Sequence, residues 1–398
     1  MIKRALETVL KKAAAGYPVV TLTGPRQSGK TTLVRAAFPK YDYVSLEDPD
    51  QNAYAIEDPR GFLSQFKGKA ILDEAQRAPS LFSYIQTIVD SSGDPGKYVL
   101  TGSQNFLLLQ KISQTLAGRC SVLHLMPFCL SELETRKPFT LSKIGRTTPD
   151  PGRNSQRDLM DVLFTGFFPR IHDKGLEPMD WLANYYRTYV ERDVRDIINI
   201  GDMESFGRFV RLCAGRNGQI LNLSSLANDC GVTHTTVRRW ISILEASFLV
   251  ILLRPHFKNF NKRLIKSPKL YFLDTGLLCF LLKIRSPDDL RLHASRGGIF
   301  ESFVISEIIK NILNRGKAPN IYFWRDSGGH EIDIIMEEDS GLIPIEIKSG
   351  QTVSGDFFSG IEYWRNLAGE KDAPAALVYG GDRSYQRTGS MVYSWSCL

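Results

Sequence analysis

Apolar positions along this chain follow two rhythms. Pro18–Thr23, Tyr41–Leu46, Lys69–Leu72, Lys97–Thr101 and Ser121–Leu125 are short apolar runs, and stretches with a helical period, such as Leu81–Val89, separate them. This alternation predicts a parallel sheet with covering helices over residues 1–135. Residues 136–157 hold Arg136-Lys137-Pro138, Thr147-Thr148-Pro149-Asp150-Pro151-Gly152 and Asn154-Ser155 and read as a linker, and from Trp181 to Val194 the pattern turns helical. Leu223–Val232 and Thr233–Ile241 read as two helices around a turn at Gly231. Thr233 or its neighbour caps the second helix, which carries an apolar stripe of Val237, Ile241 and Leu244. Two strands follow, Phe248–Leu253 and Lys269–Phe272. Phe300–Ile309 reads as an amphipathic helix and Ile321–Trp324 as a strand. Glu331–Ile335 and Ile343–Lys348 flank a Glu-Glu-Asp-Ser-Gly turn, a hairpin. The pattern divides the chain at 1–135, 136–215, 216–290 and 291–398.

Chemistry sits at the ends of these elements. Gly24-Pro25-Arg26-Gln27-Ser28-Gly29-Lys30-Thr31-Thr32 lies between a strand and a helix and fits the G-x-x-x-x-G-K-T phosphate loop. Its glycines let backbone N–H groups close around phosphate oxygens, and the helix N-terminus favours anions. Lys30 can reach the β- and γ-phosphates of ATP, and Thr31 can offer its hydroxyl to Mg²⁺. Ala70-Ile71-Leu72 ends in Asp73-Glu74, with Asp73 suited to hold Mg²⁺ through its water shell and Glu74 to activate the attacking water. The run Tyr98–Gln104 ends in small polar residues, and Ser103 is the candidate sensor of the γ-phosphate or its water. Arg119, just before the last strand, can face nucleotide in its own or a neighbouring subunit.

These motifs, in this order, resemble the AAA+-type P-loop ATPases. More narrowly, Gly-Pro-Arg-Gln-x-Gly-Lys-Thr-Thr, Leu-Asp-Glu-Ala-Gln-Arg-Ala-Pro and Leu-Thr-Gly-Ser-Gln-Asn resemble a bacterial and archaeal group of ATPases with a characteristic C-terminal region. The likeness extends to Tyr189–Val194 and Lys266–Gly276. It implies ATP binding, and it implies a homo-oligomer, a hexameric ring included, because AAA+-type sites are completed by a neighbour's arginine. It names no substrate.

In the C-terminal hairpin, a turn centred on Asp339-Ser340 places Asp333 opposite Glu346. Lys348 then shares their face, while Ile332, Ile334, Ile345 and Ile347 point to a core. Two carboxylates and a lysine can bind a divalent ion, activate water and stabilise a pentacovalent phosphate. Asp…Glu-x-Lys on a hairpin, preceded by a helix with Glu301, resembles the PD-(D/E)xK nuclease fold, and the positions that match are Glu301, Asp333, Glu346 and Lys348.

Composition narrows the setting. At 398 residues, 43% hydrophobic and 23% charged, the chain has the make-up of a soluble multidomain protein. No apolar run approaches the roughly 18 residues of a membrane span, and Met1–Glu7 has no signal-peptide core. The cysteines at 120, 129, 213, 230, 279 and 397 show no metal or disulfide spacing, which fits reduced thiols in a cytoplasm. Net charge is +7 and uneven: residues 205–300 hold 15 Lys and Arg against 5 Asp and Glu, a local +10. A helix-turn-helix with two following strands is a winged-helix pattern. His234, Arg238 and Arg239 on its second helix, with Lys258, Lys262, Arg263 and Lys266 in the wing, form a candidate DNA-binding surface.

The sequence thus predicts an α/β architecture: an AAA+-type domain, a winged helix and a nuclease-like domain. The expected activity is Mg²⁺-dependent ATP hydrolysis coupled to DNA, branched or broken DNA included. A signalling ATPase that switches protein assembly and a nucleotide-regulated transcription factor are the competing readings.

Overall fold

The computed structural model describes residues 2–103, 115–148, 155–193, 203–256, 266–339 and 341–398. The side chains of residues 191–193 and 203 lie outside that description. The chain forms two compact units. The first holds Met1–Phe128 with the short pieces Ala246–Phe248 and Ile312–Lys317, and the second holds the remainder. Among the described residues no helix is long and apolar enough to cross a membrane.

In the first unit, β1 (Val19–Thr23), β2 (Asp42–Ser45), β3 (Ala70–Asp73), β4 (Tyr98–Gly102) and β5 (Cys120–His124) form one parallel sheet in the order β2-β3-β4-β1-β5. Both faces are covered, so successive residues of a strand enter different cores. Ile71, Val99, Val20 and Leu22 pack with Leu6, Leu10, Leu33 and Val34 on one side. Leu72, Leu100 and Val19 pack with Phe62, Phe82 and Ile85 on the other. This double burial is why these strands read as unbroken apolar runs. Because every strand is parallel, all five C-terminal ends lie along one edge, and the residues that follow β1 and β3, with Ser103 after β4, start there.

In the second unit, helices Met203–Gly215, Leu223–Cys230 and His234–Ala246 precede an antiparallel pair, β6 (Val250–Leu253) and β7 (Lys269–Phe272). The Asn222 side chain accepts from the Ser225 N–H at 3.0 Å, Gly231 closes the first of the two central helices at φ +71°, and the Thr233 hydroxyl accepts from the Thr236 N–H at 3.1 Å. These are the caps that keep the two helices short and angled. Trp240, 4% exposed, packs against the rings of Phe206 and Phe209.

A six-stranded sheet follows, made of β8 (Ile321–Arg325), β9 (Glu331–Glu338), β10 (Gly341–Lys348), β11 (Ala376–Tyr379), β12 (Tyr385–Arg387) and β13 (Ser390–Ser394), in the order β12-β13-β11-β10-β9-β8. β9 and β10 pair from Glu338↔Gly341 to Ile334↔Ile345, the register expected of the hairpin. Ser340 of its turn lies outside the described residues. Helix Ser359–Ala368 lays Ile361 and Trp364 on Trp324, Ile332, Ile335 and Leu377.

Two expectations are corrected. Helix Arg296–Leu313 is not amphipathic: Ser302, Ser306, Glu307 and Lys310 are buried along with its apolar residues. The polar groups neutralise one another inside. Lys310 donates to Glu307 at 2.9 Å and lies 3.9 Å from the Phe167 ring centroid, and Glu307 accepts from the Leu130 N–H at 2.8 Å. The helix expected from Trp181 to Val194 starts at Pro178 and runs to Tyr185, then widens to π-type turns over Tyr186–Asp193. Val194 lies outside the described residues.

The Leu273-Asp274-Thr275-Gly276 motif has a structural explanation. Buried Asp274 accepts from the N–H groups of Leu277 at 2.9 Å and Phe167 at 2.8 Å. A Cβ on Gly276 would stand 2.7 Å from the Thr165 carbonyl oxygen, so the motif is a close crossing of the start of helix Thr275–Leu281 with the end of helix Leu159–Thr165.

Candidate functional site

The loop after β1 is built for close approach. At Gly24, φ is +148° and a Cβ would collide with the Leu125 carbonyl oxygen; Gly29 caps helix Lys30–Ala37 at φ +91°. Gln27 adopts φ +63°, so the chain between Pro25 and Ser28 turns back on itself. Arg4, buried, pins this turn. Its guanidinium donates to the Ser28 carbonyl at 2.7 Å and the Met126 carbonyl at 2.6 Å, with Phe128 beneath it. No sequence pattern marked Arg4, which lies 24 residues before its partner Ser28.

Lys30 is buried and its ammonium donates to the carbonyls of Gly24 at 3.0 Å and Pro25 at 2.8 Å. Burial lowers its pKa to about 8, and Glu74 and Asp73 oppose the fall. Among the described residues its hydrogen-bond acceptors are its own loop's carbonyls, which phosphate oxygens can replace. Thr31 lies in the first turn of the same helix, and its hydroxyl donates to Asp73 Oδ2 at 2.8 Å. Tyr43 donates to the same oxygen at 2.8 Å, and the Thr101 hydroxyl donates to Oδ1. A hydroxyl and a carboxylate brought together at a helix N-terminus are hard oxygen donors of the kind Mg²⁺ accepts, so these residues fit the ion. Glu74 sits at φ +54°, accepting from Ser103 Oγ at 3.1 Å and from Gln76. β4 lies between β1 and β3, so Ser103 emerges between the phosphate loop and the acidic pair. Tyr43 and Thr101 escaped the sequence reading because both depend on strand order, which the linear pattern does not fix.

Arg26 approaches Glu47 at 3.8 Å, and Arg77 approaches the same carboxylate at 3.8 Å. Thr32 is exposed on the first turn. Arg119 is elsewhere. It precedes Cys120, which pairs with Val19 at the start of β1, so it lies at the sheet edge opposite the phosphate loop. There it donates to Asp90, at 2.9 Å through one of its contacts. The expectation that Arg119 faces nucleotide in its own subunit is therefore corrected by the strand direction.

On the helical part of the second unit, His234, Arg238 and Arg239 are exposed on helix His234–Ala246, and Lys266 is exposed just before β7. Lys258, Lys262 and Arg263 lie outside the described residues.

The C-terminal acidic residues do converge. Lys348 Nζ lies 2.8 Å from Glu346 Oε2 and 3.8 Å from Asp333 Oδ2, and Asp333 also accepts from the Ile347 N–H at 2.8 Å. Glu301 joins them through Tyr271, whose hydroxyl donates to it at 3.2 Å. Lys269 pairs with Glu331, which also accepts from Arg325 at 3.0 Å. Burial and the neighbouring Asp333 raise Glu346 well above the carboxylate range and carry Glu301 to about 7. Among the described residues no group of three or more His, Cys, Asp and Glu side chains is arranged to hold a metal. The donors expected for one at Asp333 and Glu346 are engaged by an ammonium and by backbone, so this set does not fit a divalent ion.

Comparison with known proteins bears on the segment that holds the phosphate loop. Residues 16–134 match the family model described as AAA domain. Residues 156–288 and 296–398 match two models described as domains of unknown function, DUF8612 and DUF4143. The uncharacterized protein Rv2008c of Mycobacterium tuberculosis is 31% identical over 387 residues, which cover 96% of this chain and 81% of that protein. The uncharacterized protein Mb2031c of Mycobacterium bovis matches with the same figures. The chain belongs to their family of AAA-domain proteins. Among solved structures it is similar to the Walker-type ATPase PABY2304 of Pyrococcus abyssi, with a TM-score of 0.45 and 14% identity over 71% of this chain and 96% of that one. AMPPCP-bound DnaA from Aquifex aeolicus aligns with a TM-score of 0.29 and 16% identity over 60% of this chain and 85% of that one. The AAA domain holds the phosphate loop, the acidic pair and Ser103 in one continuous segment.

Proposed function

We propose that this AAA-domain protein is a Mg²⁺-dependent ATPase that acts on DNA as a homo-oligomer. One observation carries the ATPase reading: Thr31 meets Asp73 at 2.8 Å while Ser103 holds Glu74 at 3.1 Å, beside a lysine whose ammonium faces loop carbonyls. Backbone N–H groups of residues 24–31 cradle the phosphates, and Lys30 releases its loop carbonyls to hold β- and γ-oxygens. Thr31 and Asp73 would hold Mg²⁺, which neutralises phosphate charge. Glu74 accepts a proton from the water that attacks the γ-phosphorus, and Ser103 fixes the carboxylate for that transfer. Phosphate release by the full chain tests this. The parent turns over, Lys30→Ala fails to bind nucleotide, and Glu74→Gln binds ATP yet hydrolyses it at least about 100-fold more slowly. A Glu74→Gln protein with parental turnover would remove Glu74 from the role of base.

DNA as the partner rests on the exposed His234, Arg238 and Arg239 along one helix of a basic segment. Three helices followed by β6 and β7 give the winged-helix order in which the last helix meets a groove. Steep salt dependence of duplex binding supports this partner. No binding at low salt, with ATPase activity intact, returns the helices to a role in protein assembly. The position of Arg119 at the edge away from its own phosphate loop supports a role in a neighbour's site within such an oligomer. Strand cleavage is not part of the proposal, because the acidic cluster does not suit a metal.

A further inference from the structure

The acidic cluster nonetheless has a marked composition for a protein interior. Glu301, Glu331, Asp333 and Glu346 are four carboxylates, and Lys269, Lys348 and Arg325 are the three cations among them. Asp333, Glu346 and Lys269 are 7%, 4% and 4% exposed. Unpaired, such groups would be driven to neutrality or to water.

Two of the carboxylates are also roofed. A Cβ on Gly360, in helix Ser359–Ala368, would collide with Glu346 Oε1. A Cβ on Gly218 would lie 3.2 Å from Glu301 Oε2, and Tyr271 covers the same carboxylate. Lys269 reaches Glu331 from β7, the strand that follows the helix-turn-helix. Burial works against the Lys269 ammonium, but Asp333, Glu331 and Glu301 more than offset it, so its pKa is raised. Tyr271, two residues along the same strand, is raised well above 10 by burial and by the same carboxylates. Strand β7 therefore contributes a cation and a phenol to one pocket of acids, and the groups on every side of it are already paired.

We propose that the cluster is a metal-free ionic joint, in which Lys348 stands between Asp333 and Glu346 where a divalent cation would otherwise be needed and Lys269, paired with Glu331, fastens the β6–β7 hairpin to the six-stranded sheet. Four carboxylates against three cations leave a single excess negative charge, which one shared proton balances. Its raised carboxylates make Glu346 and Glu301 the places for that proton. This inference does not depend on the ATPase or DNA readings.

The test uses the full chain without nucleotide, in a Thr31→Ala background that blanks the ion site of the phosphate loop. Mn²⁺ is titrated and followed by electron paramagnetic resonance, beside thermal unfolding. The expected result is no stoichiometric Mn²⁺ binding and a fall in melting temperature of roughly 6–12 °C for Lys269→Met, the loss expected for stranding buried carboxylates. Adding Glu331→Gln to Lys269→Met should return a good part of that fall, because the stranded charge is then gone. Parental stability in Lys269→Met would overturn the joint. So would one equivalent of Mn²⁺ bound by the Lys269-containing protein and lost on Asp333→Asn, which would restore a metal site.

Discussion

At the scale of single residues, the nucleotide site is governed by Lys30. Its folded pKa of about 8 lies below its ordinary 10.5 because it is buried among carbonyls. Below pH 8 the lysine is charged in both folded and unfolded chains, and the burial penalty is fully present. Between about pH 8 and 10.5 the unfolded chain binds more protons, so the nucleotide-free protein gains stability across that window. Phosphate oxygens favour the charged form, so the sign for binding is the reverse. ATP affinity should be flat below pH 8 and fall about tenfold for each pH unit above it. Calorimetric titration at pH 7 and pH 9 checks this, and an affinity unchanged between the two would contradict it. The residues that make this site were legible to different degrees. Lys30, Thr31, Asp73 and Glu74 lie in short motifs whose spacing is local. Arg4 reaches the Ser28 carbonyl through the packing of the N-terminal segment, and Tyr43 and Thr101 reach Asp73 through strand order, which no local spacing encodes.

At the scale of elements, the pattern of apolar positions held where one face of an element was buried or where both faces were apolar. The β9–β10 hairpin follows its alternation into the expected register, because a slip of one residue would turn Ile334 and Ile345 outward. Helix Arg296–Leu313 escaped the rule because Glu307 and Lys310 are polar to a sequence reading and paired inside the fold. Lys269 reads in the sequence only as the first residue of a strand, while its ammonium lies among acids. In helix His234–Ala246 the two faces are separable. Trp240 faces Phe206 and Phe209, so Trp240→Ala should cost about 3–5 kcal/mol locally, seen as faster amide exchange in helices 203–215 and 234–246. Arg238 and Arg239 face solvent, so changing both to Ala should leave unfolding near the parent while weakening duplex binding. Each phosphate contact removed should reduce the slope of log affinity against log salt by about 0.9. An unchanged slope with intact folding would assign this helix face to a protein partner.

At the scale of the whole molecule, Arg119 separates a single-chain site from a shared one. It sits at the start of β5, paired with Asp90, at the sheet edge away from Lys30 and Glu74. Its pairing to Asp90 raises its pKa, so it is a fixed cation on an exposed edge. If a neighbour's phosphate loop approaches that edge, Asp90 yields Arg119 to the γ-phosphate, where an added cation stabilises the charge that develops on transfer. Arg119→Ala should then bind ATP as the parent does but hydrolyse it about 10³-fold more slowly. Lys30→Ala should be inactive for the opposite reason, since it keeps the arginine and loses the nucleotide. Mixing the two inactive proteins is the decisive measurement. At an interface where the Arg119→Ala subunit supplies the phosphate loop and the Lys30→Ala subunit supplies the arginine, one complete site re-forms. Phosphate release in the mixture should therefore rise well above the sum of the two proteins alone and depend on total protein concentration. A mixture that stays at that sum would leave Arg119 as a surface partner of Asp90 and each ATPase site complete within one chain.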